Sequence, residues 1–537
     1  MVRGYRRIPE RMALAVRRTR PFAGFSFRLD ICLVNCIAPG PVWVPELPRS
    51  KPMPWSISTT VLTIIIHGMI VVALSLRIVS RRRPTGVSLA WITVIAVLPF
   101  VGAMLYLMVG ELWLAGRRVR RAHEVGDEFK GRLAELAEQA PAGLENYSHL
   151  ARTLDAYARR GASMPTLGGN EIRIFAGADE VFDALIADID AARDRVYLIF
   201  YIWSEGGRAD EVGEAVIRAA GRGVDCRILL DAVGSKHLLR RSSWPRRFKD
   251  AGIPLVAALK AGRLRVLFHR IDLRNHRKIA AIDGKIGYCG SQNIADPRYF
   301  KTDAGVGPWV DVMCRIDGPG GEALELTFQH DWCIEAECIA PRMFVDIDPA
   351  PYTHGGSPVQ VINSGPAQSP RATEDMLLTM IFACQQSLVM TTPYFIPTES
   401  MEHALIAAAL RGVSVQIVVP AKNDSRLVAL ASRSYYGDLL DAGVRIWEFE
   451  GGLLHAKTVT ADGRVGLIGS VNMDRRSFAI NYETSVFIYD AEVTERLGKL
   501  QSRYMEQAVE VDPVRWAQRS RGRQLAENAT QLVAPIL

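Results

Sequence analysis

The word H-x-K-x4-D occurs twice in this chain, as His276, Lys278 and Asp283 and again as His455, Lys457 and Asp462. A G-S-x-N word follows each copy in the same phase. Gly290 and Gly469 stand 14 residues after the two histidines, Ser291 and Ser470 15 after, Asn293 and Asn472 17 after. A single such word means little, but paired words at equal offsets mark a duplicated folding unit. The duplication extends upstream: Arg222-Gly223-Val224 is echoed by Arg411-Gly412-Val413, and Tyr201 by Tyr394. Around these words short β-type runs alternate with helical ones. In the first half the order is strand 195–201, helix 210–222, strand 224–230; in the second it is strand 387–392, helix 400–411, strand 413–419. That alternation predicts an α/β fold in two similar lobes.

Composition narrows the class further. With 537 residues, 49% apolar and 23% charged, the chain is too hydrophobic to remain disordered and long enough for two or more folded units. Its eight cysteines form no CxxC pair and no Cys/His spacing of a zinc site, which argues against a disulfide scaffold or a structural metal. The net charge of +8 is misleading, because residues 1–52 carry nine arginines and Lys51 against Glu10, Asp30 and Glu46. The rest of the chain is nearly neutral, so a nucleic-acid partner is not expected.

No acidic residue lies between Glu46 and Glu111, and that window holds two apolar runs, about 55–76 and 87–109. At about 1.5 Å per residue, 22 helical residues reach about 33 Å against a hydrocarbon core of about 30 Å. Two transmembrane helices are therefore expected. The outer flanks hold Arg49, Lys51, Arg117, Arg118, Arg120, Arg121 and Lys130, and the connection holds Arg77, Arg81, Arg82 and Arg83. The positive-inside rule then places both ends, and the large C-terminal part, in the cytoplasm; a re-entrant pair also fits four arginines in the connection. The boundaries read as a basic extension over 1–52, with Met53 a plausible alternative start, two transmembrane helices over 53–110, a helical linker over 111–169, a first lobe over 170–345, a Pro/Gly-rich linker over 346–365 and a second lobe over 366–537.

The repeated residues suit phosphoryl chemistry. Residues two apart on a strand share a face, so each histidine projects beside its lysine. An imidazole with an ordinary pKa of about 6.5 can attack phosphorus or move a proton, and two can divide those tasks. Lys278, Lys457, Asn293, Asn472, Ser291 and Ser470 can hold non-bridging oxygens. No metal or other cofactor is then needed. Asp283 and Asp462 each precede a glycine, a hairpin-turn signature, so they stand between a turn role and a chemical one.

These words resemble those of the phospholipase D superfamily, over about 172 to the C-terminus. Within it the chain is similar to the two-motif, membrane-anchored bacterial cardiolipin synthases from about residue 53 onward. The words carrying that likeness include Phe200-Tyr201-Ile202-Trp203, Asp296-Pro297-Arg298-Tyr299-Phe300, Thr392-Pro393-Tyr394-Phe395 and Gly451-Gly452-Leu453-Leu454-His455. The resemblance implies two α/β lobes sharing one active site, and catalytic roles for His276, Lys278, Asp283, His455, Lys457 and Asp462. It implies an acidic residue after each motif that orients a histidine, here Asp311 and Glu483, at unequal offsets of 35 and 28 residues. It also implies transfer of a phosphatidyl group between two phosphatidylglycerol molecules, giving cardiolipin and glycerol at a bacterial inner membrane. By the superfamily's usual order His276 is the nucleophile and His455 the acid and then base, although the symmetry of the repeat gives no physical ground for choosing. A superfamily nuclease is the natural rival, disfavoured by the apolar runs and the neutral lobes. A phospholipase D, or a cardiolipin synthase using another donor lipid, differs only in the alcohol exchanged.

Two further segments stand out. The stretch 240–249 mixes cations with Trp244 and Phe248, as would suit either anionic headgroups or a solvated helix end. Asp231, followed by Gly234-Ser235, has no chemical role that the sequence reveals.

Overall fold

The computed structural model describes residues 58–81, 85–110, 116–260, 272–336, 356–366 and 369–531. The chain divides into a unit ending at Thr63, of which only 58–63 are described, and a main unit from Ile64 onward. The basic extension over 1–52 lies outside the described residues.

The first apolar run forms the helix Thr59–Ser80, 22 residues with a mean hydropathy of 2.3, long enough to cross a bilayer. The second run departs from expectation. Its helix Thr85–Val97 has 13 residues, about 20 Å at the helical rise and short of the hydrocarbon core. The break follows at Pro99, which cannot continue the helical hydrogen-bond ladder, and at Phe100 with φ +59°. Helical backbone resumes over Val101–Leu105 and ends in a π turn, Tyr106–Gly110. Gly102 lets the resumed turn sit against Val94, whose carbonyl oxygen would lie 2.2 Å from an added Cβ. Ile78, Ile95, Ala103 and Tyr106 are buried together, while Ile64, Met69, Val72, Leu76 and Val79 stay exposed. A run of uncovered apolar side chains of this size marks contact with an apolar environment.

The linker separates into two helices serving different cores. Phe129, Leu133 and Leu136 lie on Gly116–Gln139 and pack under the sheet. Leu144 and Leu150, which continue the same spacing in sequence, belong to another cluster. The chain turns between them at Gly143, φ +59°.

Among the described residues the lobes share one 16-stranded sheet. In the first lobe its order from the outer edge is Leu255–Ala258, Asp225–Asp231, Arg195–Phe200, Lys278–Ile282, Ile286–Gly290, Met313–Asp317 and Leu167–Phe175. The second lobe repeats that order from the other edge, inside an extra strand Ala508–Glu510: Arg445–Phe449, Ser414–Pro420, Ser387–Thr391, Thr458–Ala461, Val465–Gly469, Asn481–Ile488 and Ser357–Ser364. The halves join where Leu167–Phe175 pairs antiparallel with Ser357–Ser364. The linker expected over 346–365 therefore ends earlier: 357–364 is a wholly buried strand, and 337–355 lies outside the described residues. Tyr197 and Ile199 face the core under the helix Pro319–Glu335, while Val196, Leu198 and Phe200 face the outer core of the first lobe, the period of two that a sheet buried on both faces requires.

The repeated words have local reasons. Gly223 and Gly412 both adopt φ +91°, and the arginines before them reach back to cap carbonyls. Arg222 donates to Ile189 and Ala192, and Arg411 to Ile381 and Cys384. In the stretch 240–249, Trp244 and Phe248 are buried, and Trp244 Nε1 donates to Asp210. These aromatics belong to the core, so only the cations of that segment, Arg240, Arg241, Arg246 and Lys249, stay exposed.

Candidate active site

The short strand Arg274–Asn275 pairs parallel with the start of Asn481–Ile488, from the other lobe, and the His276 N–H donates to Tyr482 O at 2.9 Å. Leu453–Leu454 pairs in the same way with Trp309–Val310, and the His455 N–H donates to Val310 O at 2.8 Å. Each histidine backbone is thus held by the opposite lobe.

The side chains follow that exchange. His276 Nδ1 lies 3.0 Å from both oxygens of Glu483, and His455 Nδ1 lies 2.6 Å from Asp311 Oδ1. A carboxylate only accepts, so each Nδ1 donates and each Nε2 keeps its lone pair. The acidic residue that follows one motif therefore serves the histidine of the other. Their unequal offsets reflect a longer first-lobe excursion between Asn293 and Trp309, which carries Phe300 and Lys301. In the imidazole environment, Tyr201 meets His276 edge-on at 4.8 Å between ring centroids, and Trp309 meets His455 at 4.5 Å.

Ser291 donates to Asp311 Oδ1 at 2.6 Å and accepts from the Val312 N–H; Ser470 donates to Glu483 and accepts from the Thr484 N–H. Both serines sit behind the carboxylates and orient them. The glycine before each has a packing reason, because an added Cβ would lie 2.3 Å from Val312 O at Gly290 and 2.5 Å from Ser485 Oγ at Gly469. Asn293 Oδ1 accepts from the Ile202 N–H at 3.0 Å, and both Asn293 and Asn472 line the cleft. Lys278 and Lys457 are fully buried, and each donates to the carbonyl of its own histidine, at 2.6 and 2.5 Å.

Asp283 and Asp462 are not brought to this cluster. Both have positive φ and precede a glycine that does too, as a tight hairpin demands. Asp283 accepts from the N–H groups of Arg193, Asp194 and Arg195, and Asp462 from those of Gln385, Gln386 and Ser387. Their placement corrects the expectation that they are catalytic: carboxylates spent on three backbone donors tie a hairpin to the loop before the neighbouring strand.

The sequence also under-read Asp231. Its Oδ1 accepts from the Val233 and Gly234 N–H groups, and its Oδ2 from the Asn275 N–H at 3.0 Å, next to His276. Asp474, Arg476 and Asn481 line the cleft without having been singled out for it, beside Arg274, which the sequence offers only as one of a basic run leading into the first motif that could guide anionic headgroups. They are single residues whose counterparts in the other half differ, so the repeat could not reveal them.

Between the histidines lies a cleft of about 430 Å³. Burial, together with Lys278, holds His276 down to about 4 against the pull of Glu483; burial and Lys457 hold His455 down to about 3 against Asp311. Burial also lowers Lys278 to about 8 and drives Lys457 well below its usual range. For Asp311 and Glu483 burial pushes upward, but the facing histidine, lysine and serine outweigh it and leave both below the ordinary carboxylate range. Burial lifts Asp474 to about 6. Two neutral imidazoles in a cleft that Arg274 and Arg476 also line suit a phosphodiester anion.

Residues 185–304 and 377–504 match a family model described as a cardiolipin synthase, PLD-like domain. Residues 69–111 match one described as a phospholipase D-nuclease N-terminal region. Over 473 residues the chain is 40% identical to cardiolipin synthase A of Serratia proteamaculans (strain 568), covering 88% of this chain and 97% of that one. The chain belongs to the cardiolipin synthase family. A second relative, cardiolipin synthase A of Cronobacter sakazakii (strain ATCC BAA-894), is 40% identical over 478 residues, with 89% and 98% covered. The crystal structure of a phosphatidylserine synthase from Haemophilus influenzae Rd KW20 superposes with a TM-score of 0.54 at 16% identity, covering 73% of this chain and 100% of that one. At that identity it shows the shared two-lobed fold. The family's N-terminal match begins within the helix Thr59–Ser80 and runs through the broken run 85–110.

Proposed function

We propose that this protein is a cardiolipin synthase: a phosphatidyltransferase that moves the phosphatidyl group of one phosphatidylglycerol onto the free glycerol hydroxyl of a second, giving cardiolipin and glycerol. The observation that carries the reading is the crossed pair, two imidazoles with free Nε2 atoms in one cleft, each held by a carboxylate of the opposite lobe. One Nε2 attacks phosphorus and forms a P–N bond as the P–O bond to glycerol breaks, while the other, protonated once the phosphodiester anion is bound, passes that proton to the departing oxygen, so that a difficult displacement becomes two easier ones. The second imidazole then takes the proton of the incoming lipid hydroxyl, whose oxygen displaces the first histidine. Lys278, Lys457, Asn293 and Asn472 gather the non-bridging oxygens. Asp311 and Glu483, backed by Ser291 and Ser470, hold the tautomers, and Asp283 and Asp462 act through the fold.

The apolar helix Thr59–Ser80 and the broken run 85–110 support a multi-pass anchor in a bacterial inner membrane, with the lobes on the cytoplasmic side by the charge of their flanks. Anchoring keeps the cleft beside a bilayer that contains both lipids, which raises effective concentration without added affinity. Purified protein in phosphatidylglycerol vesicles is expected to form cardiolipin and free glycerol in equal amounts, and both products should vanish in His276→Ala and in His455→Ala. Phosphatidic acid as the product would identify a hydrolase. Cleavage of single-stranded DNA without action on phosphatidylglycerol would overturn the lipid reading.

A further inference from the structure

A buried charged cluster holds the residues on either side of His276. Asp331, on the helix Pro319–Glu335 under the sheet, accepts from Asn275 Nδ2 at 2.8 Å through Oδ2 and pairs through Oδ1 with the Arg277 guanidinium. Arg277 is wholly buried and Asp331 nearly so. Arg277 Nε donates in turn to Glu483 O at 3.3 Å, which ties the segment carrying His276 to the backbone of the residue whose carboxylate orients it. Tyr482, whose carbonyl accepts from the His276 N–H, meets two guanidinium groups with its ring, Arg277 at 5.6 Å and Arg118 at 5.5 Å from the centroid. Arg118 belongs to the helix Gly116–Gln139, which follows the apolar run 85–110. It pairs with Glu335 at 2.6 Å, one turn beyond Asp331, and Arg121 donates to Ile334 O at 3.2 Å. Phe129 of the same helix packs 5.3 Å from His330, whose Nδ1 lies 3.1 Å from Asp331 Oδ1. In the second copy of the motif, Leu454 and Ala456 take the places of Asn275 and Arg277 and are buried in the apolar core.

A buried ion pair is no more stabilising than well-packed apolar side chains of similar volume, and the second copy shows that an apolar solution fits this fold. Stability alone therefore does not account for the cluster. We infer that Arg118, Arg277 and Asp331 are positioning residues for the transfer: they lock the linker helix, Tyr482 and the backbone of His276 and Glu483 into one register. This deepens, and rests on, the transfer reading above. The imidazole is held at three backbone points, because Asn275 fixes the residue before it, Arg277 the residue after it, and the Tyr482 carbonyl its own N–H. Burial pushes the Asp331 carboxyl upward, but Arg277 and His330 outweigh it and keep it below the ordinary carboxylate range, so the hold on Arg277 is a charged one. A shift of about 1 Å at a reacting group costs about 100-fold in rate, and the ring amplifies any tilt of the backbone that carries it. None of the three side chains lines the cleft, so their loss should act on turnover and not on lipid binding.

The full-length protein in mixed micelles of detergent and phosphatidylglycerol separates positioning from stability. Asp331→Asn leaves Arg277 buried without its carboxylate, so thermal midpoint and kcat should both fall. Combining Arg277→Met with Asp331→Asn removes both charges and keeps an acceptor for Asn275. The midpoint of that double variant should return close to the parent's, while kcat stays about 10- to 100-fold down and KM holds within about twofold. A double variant whose kcat recovers together with its midpoint overturns the proposal, since a merely structural pair behaves that way. Arg118→Ala should lower kcat about tenfold at unchanged KM, and Arg118→Lys, which keeps a cation facing Glu335, should restore part of it. Parent-like kcat in Arg118→Ala, or a loss carried wholly by KM in either variant, also overturns it. A parent protein that forms no cardiolipin would instead remove the transfer reading on which the assignment rests.

Discussion

Each imidazole of the cleft is defined by three neighbours: a carboxylate from the other lobe, its own lysine two residues on, and an aromatic ring. The carboxylate fixes the tautomer, and the lysine and burial keep the ring neutral, which suits attack but leaves no proton to give. The substrate resolves this, because an arriving phosphodiester anion raises the pKa of both imidazoles against their present values of about 4 and about 3. Binding of inorganic phosphate at pH 6 is therefore expected to take up protons, read by calorimetry in buffers of different ionisation enthalpy. Proton release, or none, would contradict that account. Ser291 and Ser470 act one step removed: Ser470→Ala should lower kcat about tenfold through Glu483 while leaving KM for phosphatidylglycerol nearly unchanged, whereas a phosphate-binding serine would raise KM.

Among the elements, the two Asp-Gly hairpins show how a family word can be structural. Each aspartate closes a turn and accepts from three backbone N–H groups, so Asp283→Ala or Asp462→Ala should cost about 2 kcal/mol of stability. Thermal unfolding should show that loss, with kcat per folded molecule within about threefold of the parent. A thousandfold drop in kcat with an unchanged midpoint would return these residues to the chemistry. The apolar run 85–110 is the element least like its expectation. If it recrosses the bilayer despite the break at Pro99, Ser80→Cys will react with an impermeant maleimide from the periplasmic face of intact cells; a re-entrant pair would leave it unlabelled from that side.

At the scale of the molecule, one sheet runs through both lobes and the site lies where they exchange strands, so stability and catalysis depend on the same contacts. The pH dependence follows from the buried histidines. Both have folded-state pKa values below the unfolded value of about 6.5, so the unfolded chain binds more protons once pH falls below that value. Stability is expected to drop between pH 6.5 and about 4, by about 1 kcal/mol per pH unit for each histidine. Thermal midpoints across that range should therefore flatten in a His276→Gln, His455→Gln double variant; an equally steep double variant would show that other groups govern acid sensitivity. The duplicated α/β pattern, the histidines and lysines of the site, the turn chemistry of Asp-Gly and the first apolar run, read at about 55–76 and found as the helix Thr59–Ser80, were all legible in the linear chain, because periodicity, spacing and local backbone preference are properties of neighbouring residues. The crossing of Asp311 to His455 and Glu483 to His276, the burial of Trp244 and Phe248, the strand hidden in the expected linker and the unlike halves of the cleft were not. They depend on which segments meet across the two lobes, and a repeat that is symmetric along the chain cannot say whether each half completes its own site or its partner's.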